Sequence, residues 1–84
     1  MEDITKDFLI KKGFREEYEN IFTYSNKKYT IDAIYYNKPL YHNRYWKILI
    51  FSSTRFMIGH IIVQTIEQLK KTMEICDVDL NAKD

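Results

Sequence analysis

Two histidines, one cysteine and a set of aspartates near the end of the chain are the side chains best suited to chemistry: His42, His60, Cys76, Asp77, Asp79 and Asp84. A histidine that acts as a general base needs a positioned partner. His42 stands in a polar stretch that runs from Asn37-Lys38-Pro39 to Asn43, so it reads as a solvated loop residue. His60 interrupts an apolar run and reads as a partly exposed or hydrogen-bonded sheet residue. Cys76 lies beside Asp77 near a helix end, where the carboxylate and the helix C-terminus both disfavour a thiolate. It reads as a core residue. Asp77, Asp79 and Asp84 match a calcium loop only loosely, because the central glycine and the terminal bidentate glutamate are missing. No glycine-rich phosphate loop, nucleophile elbow or HExxH helix occurs. The residues therefore predict a protein with no catalytic group, no metal and no cofactor.

A second kind of chemistry lies in the middle of the chain. Residues 25–55 carry Lys27, Lys28, Lys38, Arg44, Lys47 and Arg55 against Asp32 alone, while the flanking segments are net acidic and the whole chain is +1. The same stretch holds Tyr29, Tyr35, Tyr36, Tyr41, Tyr45 and Trp46. Cations interleaved with aromatic rings on a sheet can neutralise phosphates and stack bases. Tyrosines also pair across ordinary strands, and lysines keep exposed edges soluble. No RNP-like, KH or helix-turn-helix signature accompanies the cations. Nucleic-acid binding is thus the alternative to a protein interface formed by Tyr36, Tyr45, Leu49 and Phe51.

The elements that would position these residues can be read along the chain. Thr5 is an N-cap flanked by Ile4 and Leu9 at staple positions, and Gly13-Phe14 ends the turn, so a short helix covers about residues 5–12. Residues 15–19, Arg-Glu-Glu-Tyr-Glu, read as a solvated connection. Strands follow at 21–24, 29–36, 45–52 and 56–63, separated by turns at Ser25-Asn26-Lys27 and Ser53-Thr54-Arg55 and by the loop after Asn37. In the second strand Tyr29, Ile31, Ala33 and Tyr35 form the more apolar face and are expected inward. Trp46, Ile48 and Ile50 form one face of the third strand; Tyr45, Lys47, Leu49 and Phe51 form the other. Gly59 marks a bulge or close approach in the fourth strand and leaves its inward face open. Thr65-Ile66-Glu67-Gln68 is a capping box that opens a second helix with Ile66, Leu69, Met73 and Cys76 on its apolar side. Residues 77–84 form a polar tail that holds Val78 and Leu80.

At 84 residues and 10.2 kDa, this is the length of one small domain. A hydrophobic share of 45% and a charged share of 30% argue against wholesale disorder. No apolar run is long enough to span a bilayer. The polar, acidic start does not read as a secretory signal, and the single cysteine fits a reducing, cytoplasmic compartment. Twelve Ile, ten Lys, seven Tyr and five Asn against two Ala and two Gly suggest A/T-rich codons, which inflates the Tyr and Lys counts.

Consecutive strands with short turns pair antiparallel. Two amphipathic helices need an apolar surface, and one sheet face is the only large one. The expected fold is a two-layer α+β domain over residues 1–84, in α-β-β-β-β-α order, with a four-stranded antiparallel sheet and both helices on one face. Its other face would then expose aromatic and aliphatic side chains, a larger patch than a monomer usually shows. The expected function is protein–protein contact or self-association, with sheet-to-sheet or edge-to-edge pairing covering that surface or the tail after Asp77 folding over it.

The segment Ile58-Gly59-His60-Ile61-Ile62-Val63-Gln64-Thr65-Ile66-Glu67-Gln68-Leu69, then Met73 and Asp77-Val78-Asp79-Leu80, resembles small uncharacterised proteins of Bacteroides-group gut bacteria and their phages. Those proteins open with a Phe-Leu…Gly-Phe helix, as Phe8, Leu9, Gly13 and Phe14 do here, and end in a Gln-Thr-(Ile/Val)-Glu-Gln helix. The shared residues are caps and core positions. The resemblance implies a phage or mobile-element setting and carries over no catalytic residues.

Overall fold

Thr5 begins the first helix as its spacing predicts. In the computed structural model, which describes residues 3–38 and 43–75, its Oγ1 accepts from the Phe8 amide at 3.1 Å. Helix α1 (Lys6–Lys11) is only six residues long. It ends in a Schellman motif: the Gly13 amide donates to the Ile10 carbonyl at 3.1 Å and the Phe14 amide to the Leu9 carbonyl at 3.0 Å. Gly13 sits at φ +98°, a conformation that L side chains rarely adopt. Phe14 is thereby folded back into the core beside Leu9 and Ile4.

The sheet has five antiparallel strands rather than four, in the order β1-β2-β3-β4-β5. The added strand is β1 (Arg15–Tyr18), in the segment expected to be a solvated connection. All four of its residues are exposed, so it carries no apolar alternation to betray a strand. It joins β2 (Ile21–Ser25) through a two-residue turn in which Asn20 takes φ 64°. A register shift between Glu16 and Tyr18 bends it against its neighbour.

An Asx turn links β2 to β3 (Tyr29–Lys38), since the Asn26 side-chain oxygen accepts from the Lys28 and Tyr29 amides, both at 2.8 Å. β4 (Asn43–Ser52) pairs with β3 along its whole length, from Tyr29↔Ser52 to Lys38↔Asn43. β5 (Met57–Val63) pairs with β4 from Trp46↔Val63 to Ile50↔Gly59 and then slips, so that Phe51 faces Met57. The irregularity expected at Gly59 therefore falls immediately beside it. The turn before β5 places Arg55 at φ 68° and is closed by the Ser52 amide donating to the Phe56 carbonyl at 2.8 Å.

Helix α2 (Ile66–Ile75) opens with the reciprocal capping box. Thr65 Oγ1 accepts from the Gln68 amide at 3.2 Å, and Gln68 Oε1 accepts from the amides of Thr65 at 3.2 Å and Gln64 at 2.7 Å. A bridge between Asp3 and Thr65 ties the two helix starts together.

Alternation decides which side chains are buried. Phe22, Ile31, Ala33, Trp46, Ile48, Ile50 and Val63 belong to one sheet face and join Leu9 of α1 and Leu69 and Met73 of α2 in one core. The inward assignment for the strand holding Ile31 therefore holds, Trp46, Ile48 and Ile50 prove to be the buried face of β4, and Val63 marks the buried end of the strand left open. Trp46 is the hub, with Phe22 edge-on at 5.9 Å and Tyr35 tilted at 4.9 Å between ring centres. Thr72, the buried polar residue among those described, donates from its hydroxyl to the Gln68 carbonyl at 2.9 Å.

Candidate interaction surfaces

The four residues proposed for an interface all lie on the sheet face opposite that core. Tyr36 faces Tyr45 in register, and their rings stack at 5.2 Å with only 15° between planes. Leu49 and Phe51 continue the same face along β4 by alternation. Reading across the strands, Ile21, Ile34, Lys47 and Ile62 form one row, and Thr23, Asp32, Leu49 and His60 the next. These side chains shelter one another: Ile34, Tyr36, Tyr45, Lys47, Leu49 and Phe51 are all half-buried. At one end the face dips into an open concavity of about 470 Å³ lined by Thr23, Ser25, Thr30, Asp32, Phe51 and Arg55. Thr23 Oγ1 donates to the Asp32 carboxylate across this face at 2.9 Å.

The six cations of the nucleic-acid alternative are not drawn together. Lys27 and Lys28 sit in the β2–β3 turn and Arg55 in the β4–β5 turn, at one end of the sheet. Lys38 and Arg44 sit at the other end, about 30 Å away along ten-residue strands. Lys47 lies between them on the open face, and Arg44 falls by alternation on the face that carries Trp46. The aromatics divide as well. Tyr29, Tyr35 and Trp46 serve the core, whereas Tyr36 and Tyr45 stack on each other.

His60 is exposed and faces Leu49 in register. The carboxylate in its row, Asp32, lies two strands away, roughly 10 Å, and is already engaged by Thr23. Among the described residues no three of His, Cys, Asp and Glu gather as metal ligands. His42, Cys76, Asp77, Asp79, Asp84 and the tail weighed as the alternative cover for the sheet lie outside the described residues. A second cavity of about 510 Å³ opens between the helix starts and β4, walled by Asp3, Thr5, Tyr35, Arg44, Trp46 and Gln64 among others. No helix of the described chain is long and apolar enough to cross a membrane.

The surface that sequence reasoning missed is the β5 edge. Five of the seven large apolar side chains left exposed among the described residues belong to one stretch: Phe56, Met57, Ile58, Ile61 and Ile62. Phe56 is 74% exposed and Ile62 58%. Only Val63, next to α2, is buried in this strand. α2 meets β5 at its Val63 end, and among the described residues the rest of the strand lies outside the core. A signal was present in the sequence, since Phe56-Met57-Ile58-Gly59-His60-Ile61-Ile62-Val63 contains no acid, lysine or arginine. Both parities of the strand are apolar, so alternation could not say which of its residues would meet solvent.

These features define a small α+β protein built on a five-stranded antiparallel sheet. No protein-family model matches the chain, and neither a curated protein nor a solved structure matches it.

Proposed function

We propose that the chain is a non-catalytic interaction module: both helices cover one sheet face, and the opposite face, centred on Tyr36, Tyr45, Leu49 and Phe51, binds a protein. The observation that carries this reading is the continuous half-buried surface of Ile34, Tyr36, Tyr45, Leu49 and Phe51 on the side away from the core. Stacked tyrosines suit an interface because they offer large, stiff, amphipathic area at little entropic cost. Nucleic acid fits less well, because the cations are split between the two ends of the sheet, with Lys47 between them and Arg55 at the rim of the concavity. The resemblance at the two helices supports a phage or mobile-element setting, and the single cysteine supports a cytoplasmic address.

Leu49→Lys tests the reading. On a face without a cover, this change costs the isolated protein under about 1 kcal/mol. The same change removes the contact with the partner. A photo-crosslinking residue at Tyr45, in the cell that makes the protein, should give a discrete adduct that Leu49→Lys abolishes. Loss of folding in Leu49→Lys, or no adduct from Tyr45, counts against the proposal.

A further inference from the structure

We propose that β5 pairs edge to edge with the β5 strand of a second copy, antiparallel about a two-fold axis near His60, to make a closed dimer with a continuous ten-stranded sheet. This goes beyond the face reading and uses the edge of the sheet, where Ile62 and His60 border that face.

The argument rests on the difference between the two edges of one sheet. An edge strand presents unpaired amides and carbonyls, and proteins that stay monomeric protect such edges with charge, bulges or short length. β1 has all three protections. It is four residues long, its register shifts between Glu16 and Tyr18, and it carries Arg15, Glu16 and Glu17, the first and last joined in an ion pair at 3.2 Å. β5 is seven residues long, keeps regular register from Gly59 to Val63 with its one slip at the Met57 end, and has no lysine, arginine, aspartate or glutamate. Ile58, Ile61 and Ile62 stand exposed along it, and Phe56 stands exposed at its start.

The occupant follows from charge and symmetry. Two identical strands can lie antiparallel only if no like charges meet, and the lack of fixed charge on β5 meets that condition. Pairing about an axis near His60 sets the Ile58 end of one strand beside the Ile62 end of the other, so exposed isoleucine covers exposed isoleucine on both sides of the axis. Because the described residues leave one edge open and one guarded, the contact is isologous and the assembly stops at two copies. A head-to-tail β5–β1 contact would grow without limit, and the charges and bulge of β1 oppose it.

Sedimentation velocity and amide exchange on the full chain test the proposal. The wild type should sediment as twice 10.2 kDa. Ile58→Lys/Ile62→Lys, at two exposed positions, should halve that mass with an unchanged far-UV spectrum. Leu49→Lys, in the middle of the open face, should leave the dimer intact. Raising wild-type concentration through the dimerisation range should slow exchange of the outward β5 amides by at least about tenfold and leave β1 unaffected. This last reading stands even if the lysine variant fails to fold. Several outcomes overturn the proposal: a monomer at about 1 mM chain, where even a millimolar Kd would show; polymers larger than two copies; a dimer that survives the lysine pair; or one that Leu49→Lys breaks. Concentration-independent protection of β5 also overturns it, since it would mean that another segment of the same chain occupies the edge.

Discussion

Two residues outside the ordinary backbone regions make opposite predictions. Gly13 takes φ +98° at the end of α1, where a Cβ would meet only the Tyr24 ring at an ordinary 3.5 Å. Space is therefore not the constraint; the backbone angle is. Gly13→Ala should lose about 1–2 kcal/mol from the cost of positive φ, read as a lower urea midpoint with an unchanged slope. Arg55 carries the same kind of angle, φ 68°, with a side chain. Arg55→Gly relieves that strain but gives the unfolded chain more freedom. The balance should be a gain of about 0.5 kcal/mol in the same measurement. Equal effects at the two positions would show that the φ angles do not govern them.

At the scale of the element, β1 and β5 show how little strand formation depends on apolar content. β1 forms from charged residues because β2 offers it a partner and a tight turn at Asn20 directs it there. Its charge then keeps other strands away. Replacing that charge with β formers, as in Glu16→Thr/Glu17→Val, should change the stability of the single chain by no more than about 0.5 kcal/mol. It should also open the second edge, so that light scattering shows species larger than the wild type. A variant of unchanged size would mean that the bulge alone guards this edge. α1 and α2 depend on their ends. Six and ten residues are too few for an isolated helix in water. Capping by Thr5, the Schellman turn at Gly13 and the Thr65–Gln68 box make up part of that deficit, and burial of Leu9, Leu69 and Met73 supplies the rest.

For the whole molecule, a chain of 84 residues has about 4–13 kcal/mol of stability on per-residue averages. Trp46 touches the sheet core on two sides through Phe22 and Tyr35 and is 3% exposed. Trp46→Ala should cost about 3–5 kcal/mol, a large part of that total. Leu69→Asp would bury an unpaired carboxylate between α2 and the sheet. Both variants should lose a cooperative thermal transition, followed by near-UV circular dichroism. A sharp, unshifted melt in either one would contradict the single shared core. No such loss is expected for changes on β5 outside Val63, because that strand lies mostly beyond the core.

Both helix starts, the Gly13 end of α1, the β2–β3 turn, the inward face of β3 and the division of β4 into two faces were legible in the amino-acid sequence. Each is specified within a few residues, by a side chain that bonds a nearby amide or by alternation along one strand. Thr5, Gly13, Asn26, Thr65 and Gln68 do in the structure what their chemistry dictates. The same locality explains why Tyr36, Tyr45, Leu49 and Phe51 could be placed together on one face. Tertiary structure decided that Arg15–Tyr18 is a strand, that β5 ends the sheet and that most of its apolar residues meet solvent. Whether a strand lies at an edge depends on whether another element arrives beside it. That depends on the order of the whole sheet, which no short stretch of residues encodes.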